Sequence, residues 1–268
     1  MSRITVTPMT KNIGATVGNL DLTKPLSSQQ KTDLKQALMD HQVIFLRDQP
    51  ISHEQHKEVG KVFSNLIMHP GAPSIEGHKD IVAIHADENS KYIAGDNWHS
   101  DLSCNPEPPM GSMLYLHTIP SIGGDTLFSS MYAAYDSLSP ALQEYLGGLE
   151  AEHDANPVYH SIYGDYGTAY PCSRHPVVRT HPVTGRKGIF VNRSYTTRIM
   201  GVSKTESDGI LKMLFELAKD PNFQVRFEWQ AHSIAIWDNR CTQHFAVWDY
   251  FPETRSGYRV TLEGDKPV

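Results

Sequence analysis

Short apolar runs, each closed off by turn-forming residues, constrain this chain more than any other feature. Residues 81–84, 111–117, 125–128, 187–192, 225–229, 233–237 and 258–262 all have the length and composition of strands. Gln42-Val43-Ile44-Phe45-Leu46 reads as a further, buried strand, and Thr184-Gly185 places a hairpin turn between 177–180 and 188–191. Helical signals are few. Ser27-Ser28-Gln29-Gln30 has capping-box spacing before a helix bearing Leu34, Ala37, Leu38 and His41. Ser52-x-x-Gln55 opens a second helix through Val59 and Phe63. A third follows Ser203 to about residue 219, with Ile210, Leu211, Leu214 and Leu217 on its apolar face. This mixture predicts an α+β, mainly β fold: a double-stranded β-helix, or jelly-roll, core with flanking helices.

Residues 154–173 carry Tyr159, Tyr163, Tyr166 and Tyr170 among glycines, without strand or helix alternation. They read as a long loop, a common form for a lid. No linker, repeat or low-complexity segment interrupts the chain, so one domain over residues 1–268 is expected. A compact chain of this size hides roughly 75% of its unfolded surface, ample for a sizeable core.

The net charge of −6 argues against a nucleic-acid partner, which calls for a basic surface. No stretch approaches the 18 or so apolar residues of a membrane span, and the N-terminus has no apolar signal core. Cys104, Cys172 and Cys241 are odd in number and lack CxxC spacing, which fits reduced thiols in a cytoplasmic protein. Cys104 and Cys241 read as small buried fillers, and Trp98, Trp237 and Trp248 mainly as core. Most of the 14 histidines are expected to be bland, with His41, His53, His56 and His78 on helix or loop surfaces.

Chemistry concentrates elsewhere. Trp98-His99-Ser100-Asp101 puts an imidazole and a carboxylate two residues apart, on one face if the segment is an extended strand. His244 follows in Asp238-Asn239-Arg240-Cys241-Thr242-Gln243-His244, and Arg255 and Arg259 come after it. Two His and one Asp make the facial triad that holds non-haem Fe(II) and leaves the opposite coordination face open. His-x-Asp alone is weak; with a late His and then Arg it is much stronger.

The chain resembles the taurine dioxygenase-like family of Fe(II)- and 2-oxoglutarate-dependent dioxygenases over residues 4–267. The likeness is carried by the segments 40–49, 96–101, Gly123-Gly124-Asp125-Thr126, 175–182, Ile236-Trp237-Asp238-Asn239-Arg240 and Gly264-Asp265-Lys266-Pro267. The resemblance implies that His99, Asp101 and His244 are the catalytic iron ligands. It implies that 2-oxoglutarate and O2 are co-substrates, giving succinate, CO2 and a hydroxylated carbon. A carboxylate ligand at Asp101 favours hydroxylation over halogenation, because related halogenating enzymes lack it. Arg255 matches the arginine that pairs with the distal carboxylate of 2-oxoglutarate, assisted by Thr126. Arg259, with His69, matches the pair that grips the sulfonate of taurine-using members. Leu102, Ala72, Gly95 and Tyr195 complete the implied substrate set. Ala72, Gly95 and Tyr195 depart from the tyrosine, asparagine and phenylalanine of taurine-specific members, which points to a bulkier or less polar substrate.

Three readings follow. The first is an oxygenase acting beside a sulfonate or sulfate group of a small anionic substrate, with release of sulfite or sulfate. The second runs the same chemistry on a phenoxyalkanoate or other carboxylate. The third is a non-catalytic metal- or 2-oxoglutarate-binding protein. A cytoplasmic homo-oligomer with no nucleic-acid or membrane partner is expected.

Overall fold

The structure, a computed structural model, describes residues 3–69, 74–163, 167 and 169–268. In chain order the elements are β1 (Thr5–Pro8), β2 (Ala15–Gly18), α1 (Ser28–His41), β3 (Val43–Leu46), α2 (His53–Gly60), β4 (Leu66–Ile67), β5 (Ser74–Ile75), β6 (His78–Ala86), β7 (Gly111–Thr118) and β8 (Thr126–Ser130). There follow α3 (Met131–Asp136), α4 (Pro140–Gly147), β9 (Glu150–Asp154), α5 (Asn156–Tyr163), β10 (Cys172–Pro176), β11 (Val178–Thr180), β12 (Lys187–Ile189) and β13 (Thr196–Ile199). The last are α6 (Lys204–Leu217), β14 (Gln224–Phe227), β15 (Ser233–Asp238), β16 (Thr242–Ala246) and β17 (Arg255–Leu262).

The major sheet runs β1-β2-β3-β15-β7-β17-β6-β5, with β4 also on β17; the minor sheet runs β14-β8-β16. Alternation along the central strands gives each face its partner. Ile44 and Leu46 of β3, Met113 and Tyr115 of β7, and Ile234 and Ile236 of β15 point outward against α1 and α2. Phe45, Leu114, Leu116, Ala235 and Trp237 point inward and meet Phe128, Val225 and Phe227 of the minor sheet. Phe45 stacks on Phe227 with ring centroids 4.0 Å apart, closing the space between the sheets. The expected mainly β jelly-roll core with flanking helices is the fold observed.

All three expected helix starts form. Ser27, Ser52 and Ser203 each accept the backbone N–H three residues on, and Gln30, Gln55 and Glu206 return the bond to the cap's own N–H. The 178–180 and 187–189 arms of the predicted hairpin pair, with Val178 opposite Ile189. The loop expected over 154–173 needs correction. Asp154 Oδ1 accepts the Asn156 N–H, Pro157 sits in the first turn, and α5 runs from there, while β10 begins at Cys172. Val158 and Tyr159 pack with Ala155, Leu102, Cys104 and Tyr195, a tertiary contact that no local period reveals. Tyr166 of that predicted loop lies outside the described residues. His56 also needs correction: it is fully buried on α2, with its Nε2 against the Met113 carbonyl at 3.1 Å, because α2 turns this face onto the sheet.

Candidate active site

β16 delivers His244 beside His99, and the two residues exchange both backbone hydrogen bonds of an antiparallel bridge. Their rings consequently lie 4.0 Å apart between centroids. The chain does not continue as the strand predicted for His99 to Asp101. It turns at Asp101, with Leu102 at φ +46°, because Ser100 Oγ and the Asp101 N–H both bond to Asn239. The turn still brings Asp101 Oδ1 to 3.7 Å from His99 Nε2 and 3.8 Å from His244 Nε2. One ligand atom from each of the three buried residues lies within 4.8 Å of the others, close enough for one ion to touch all three.

The surroundings prepare that contact. Asp101 Oδ2 accepts from Ser112 Oγ at 2.9 Å and from Asn239 Nδ2 at 3.4 Å, which leaves Oδ1 to face the imidazoles. Asn239 is itself oriented by Trp237, whose indole donates to Asn239 Oδ1. His99 Nδ1–H donates to the Asn97 carbonyl at 2.7 Å, which puts the lone pair on Nε2, toward Asp101. Burial, reinforced by His99, pushes His244 well below the ordinary imidazole value, so it stays neutral. Burial alone would raise Asp101, but the Arg259 charge foremost outweighs it and holds the carboxyl well below its usual range. Two neutral imidazoles and a monodentate carboxylate are the donor set that Fe(II) takes. Ser112 and Asn239 escaped the sequence reading as contributors here. Asn239 stands in a motif without a readable role, and Ser112 gives no local signal at all.

A second station lies on the adjoining strand. Thr126 is opposite Ala246 on β8 and Phe128 is opposite His244, so Thr126 and His244 share a face at a diagonal spacing of roughly 7 Å. Arg255 is buried; its Nε donates to the Gly124 carbonyl at 2.9 Å and its Nη2 to Thr126 Oγ1 at 3.3 Å. Burial lowers the Arg255 pKa, and no carboxylate pairs with it among the described residues. A buried guanidinium without an acid partner is costly unless an anion arrives. Trp229, read from sequence only as a strand end, donates its indole N–H to Thr126 Oγ1 at 3.0 Å and lies under the guanidinium.

The remaining predicted residues that the structure describes lie close to the triad. Arg259 lies four residues along β17 from Arg255 on the same inward face, roughly 13 Å away by strand rise. Its Nη1 donates to Asp101 Oδ1 at 3.1 Å. His69 is held near pH 4, chiefly by burial and then by the Arg259 charge, so it is a neutral neighbour of that guanidinium. Leu102 and Tyr195 are buried together with Tyr159. Gly95 adopts φ +91°, and a Cβ there would lie 3.1 Å from His99 Cε1. The volume that this glycine leaves is thus bounded by the triad itself. Ala72 lies outside the described residues.

One more group has metal-ligand composition, His181, Asp238 and Cys241. It is committed internally. His181 Nδ1 accepts the Val183 and Thr184 N–H groups, and its Nε2–H donates to Asp238 Oδ2 at 3.0 Å. Arg240 takes both oxygens of Asp238, and burial keeps the Cys241 thiol protonated by raising it well above its ordinary value.

Comparison with known proteins identifies the lineage. The profile of the family described as taurine catabolism dioxygenase TauD, TfdA family matches residues 5–261. The chain belongs to the TauD/TfdA family. It is therefore an Fe(II)- and 2-oxoglutarate-dependent dioxygenase, an enzyme that uses O2, as the resemblance implied. An alpha-ketoglutarate-dependent sulfate ester dioxygenase of Pseudomonas putida is 31% identical over 98% of this chain and 90% of its own. The crystal structure of a taurine dioxygenase from Burkholderia xenovorans superposes with a TM-score of 0.88 at 34% identity, covering 99% of this chain and 92% of that one. An alpha-ketoglutarate-dependent 2,4-dichlorophenoxyacetate dioxygenase of Cupriavidus pinatubonensis is 30% identical over 90% and 91% of the two chains.

Proposed function

We propose that this TauD/TfdA dioxygenase hydroxylates the carbon next to the sulfonate or sulfate group of a small organic anion. A sulfonate R–CH2–SO3⁻ with 2-oxoglutarate and O2 gives R–CH(OH)–SO3⁻, succinate and CO2. The hydroxylated carbon then expels sulfite and becomes an aldehyde; a sulfate ester expels sulfate in the same way. The observation that carries this reading is the pair of arginines on one face of β17, one bonded to Thr126 and the other to Asp101, each with donors to spare for an anion. Related sulfate ester and taurine dioxygenases support the sulfur-oxyanion class.

His99, Asp101 and His244 would hold the iron, which supplies the O2-derived oxidising power once 2-oxoglutarate is bound. Arg255 and Thr126 would fix the distal carboxylate of 2-oxoglutarate. Arg259 and neutral His69 would receive the sulfur oxyanion, while Leu102, Tyr195 and Gly95 shape the rest of the pocket. The tyrosine pair, Leu102 and an absent side chain at residue 95 favour a larger, less polar chain than taurine. One catalytic domain over residues 1–268, a cytoplasmic setting, a homo-oligomeric state and the absence of nucleic-acid and membrane partners belong to the same proposal. No helix among the described residues is long and apolar enough to cross a membrane.

The test is a turnover screen of alkanesulfonates, alkyl sulfates and phenoxyalkanoates with Fe(II), ascorbate and O2, scored by succinate. The expected result is succinate with equimolar sulfite or sulfate. Turnover confined to the phenoxyalkanoates would replace the proposed substrate class with the carboxylate one, and silence across the panel would defeat both.

A further inference from the structure

Arg259 is engaged with a triad residue as well as being available to a substrate. Its Nη1 donates to Asp101 Oδ1 at 3.1 Å, the very oxygen that faces His99 Nε2 and His244 Nε2. Ser112 and Asn239 hold the other carboxylate oxygen, so Asp101 cannot swing to offer Arg259 a different atom. Arg259 Nε is buried without an acceptor among the described residues, although the guanidinium is made to serve a two-oxygen partner.

We infer that Arg259 is a shared counter-ion through which anion binding and metal binding are linked: Asp101 and the anionic head of the substrate compete for one guanidinium. This rests on the proposed roles of the triad and of Arg259. A cation bonded to Asp101 Oδ1 occupies one of its lone pairs and sets a like charge beside the metal, and both effects loosen the metal. A sulfonate that draws the guanidinium away neutralises that charge and returns the lone pair. Linkage makes the effect mutual, so the metal tightens the anion by the same factor that the anion tightens the metal. The centre then grips its metal most firmly when a substrate anion is seated.

The test is a Mn(II) titration followed by the EPR signal of the free ion, without O2 or 2-oxoglutarate, so that no turnover enters the readout. Arg259→Gln is expected to bind Mn(II) about tenfold more tightly than the wild type, the scale on which groups behind a ligand tune affinity. Excess butane-1-sulfonate is expected to tighten Mn(II) on the wild type about threefold or more, and to leave the variant unmoved. An arginine that merely propped Asp101 in place would give the opposite sign, weaker Mn(II) in Arg259→Gln. Weaker or unaltered binding in that variant overturns the inference, as does a sulfonate effect that survives in it or is missing from the wild type. Arg259→Lys keeps the charge without the fork; it is expected to shift the same way by about threefold, and keeps the test alive if the glutamine variant does not fold. Asp101→Ala, run in parallel, must lose Mn(II). If it does not, the triad assignment has failed rather than the linkage alone.

Discussion

Two buried clusters of this molecule are built from nearly the same residues and are suited to opposite ends. His99, Asp101 and His244, and His181, Asp238 and Cys241 around the C-terminal end of β15, each bring three ligand-type atoms within 4.8 Å. In the second, every strong acceptor is spoken for: two backbone N–H groups on His181 Nδ1, and Arg240 with His181 on Asp238. In the first, neutral donors hold only Oδ2 of Asp101, while Oδ1, which accepts a single bond from Arg259, is turned toward two imidazole nitrogens. Residue type therefore does not make a metal centre. The hydrogen bonds around the residues decide whether the lone pairs are still on offer.

The comparison can be broken most directly by removing one member from each cluster. His99→Ala is expected to lower kcat/KM by about 10³-fold or more, some 4 kcal/mol of transition-state stabilisation, measured by succinate formation. Asp238→Asn is expected to leave Mn(II) stoichiometry intact and to lower stability by about 3 kcal/mol in urea unfolding, because it strands a buried Arg240. Full activity in the first variant, or lost Mn(II) in the second, would collapse the distinction.

The two arginines sharpen it next. Arg255→Ala should raise KM for 2-oxoglutarate by about 30-fold, a loss near 2 kcal/mol. Arg259→Ala should instead raise KM for the sulfur substrate far more than for 2-oxoglutarate; equal effects from both variants would contradict the division of labour.

Acid probes the imidazoles outside both clusters. His56 is held down to about 4 and His153 to about 3, in each case chiefly by burial. Below pH 6.5 the unfolded chain takes up protons that these folded sites refuse, so stability is full above that pH and declines as pH falls toward 4. At pH 5 the loss is about 2 kcal/mol for each, read from urea midpoints at pH 7 and 5. A flat profile would show that these rings ionise without unfolding. The smallest effect expected is that of Ser112→Ala, which frees one side of Asp101 Oδ2 and should weaken Mn(II) binding about tenfold.

Features whose cause lies within a few residues were legible in the sequence. The helix starts at Ser27, Ser52 and Ser203 are bonds across three residues, and the major strands follow from composition and turns. The predicted site residues that the structure describes also converge, because their spacing carries the family pattern. What remained hidden depends on distant chain. Ser112 and Asn239 reach Asp101 from 11 and 138 residues away, and Trp229 reaches Thr126 from 103. The strand β16 under His244 was not anticipated, since Thr242-Gln243-His244 looks polar and is buried only by its neighbours. The helix α5 was hidden for a similar reason: its apolar residues make sense only against Leu102 and Tyr195.

Thr126 carries a consequence of its own. Both lone pairs of its hydroxyl are consumed, one by the Trp229 indole and one by Arg255, so its proton has to point at whatever enters. In the role proposed for Thr126, the distal carboxylate of 2-oxoglutarate completes that arrangement, whereas the amide nitrogen of 2-oxoglutaramate would meet hydrogen head-on with hydrogen. That role predicts that the amide is a poor competitor in a succinate assay.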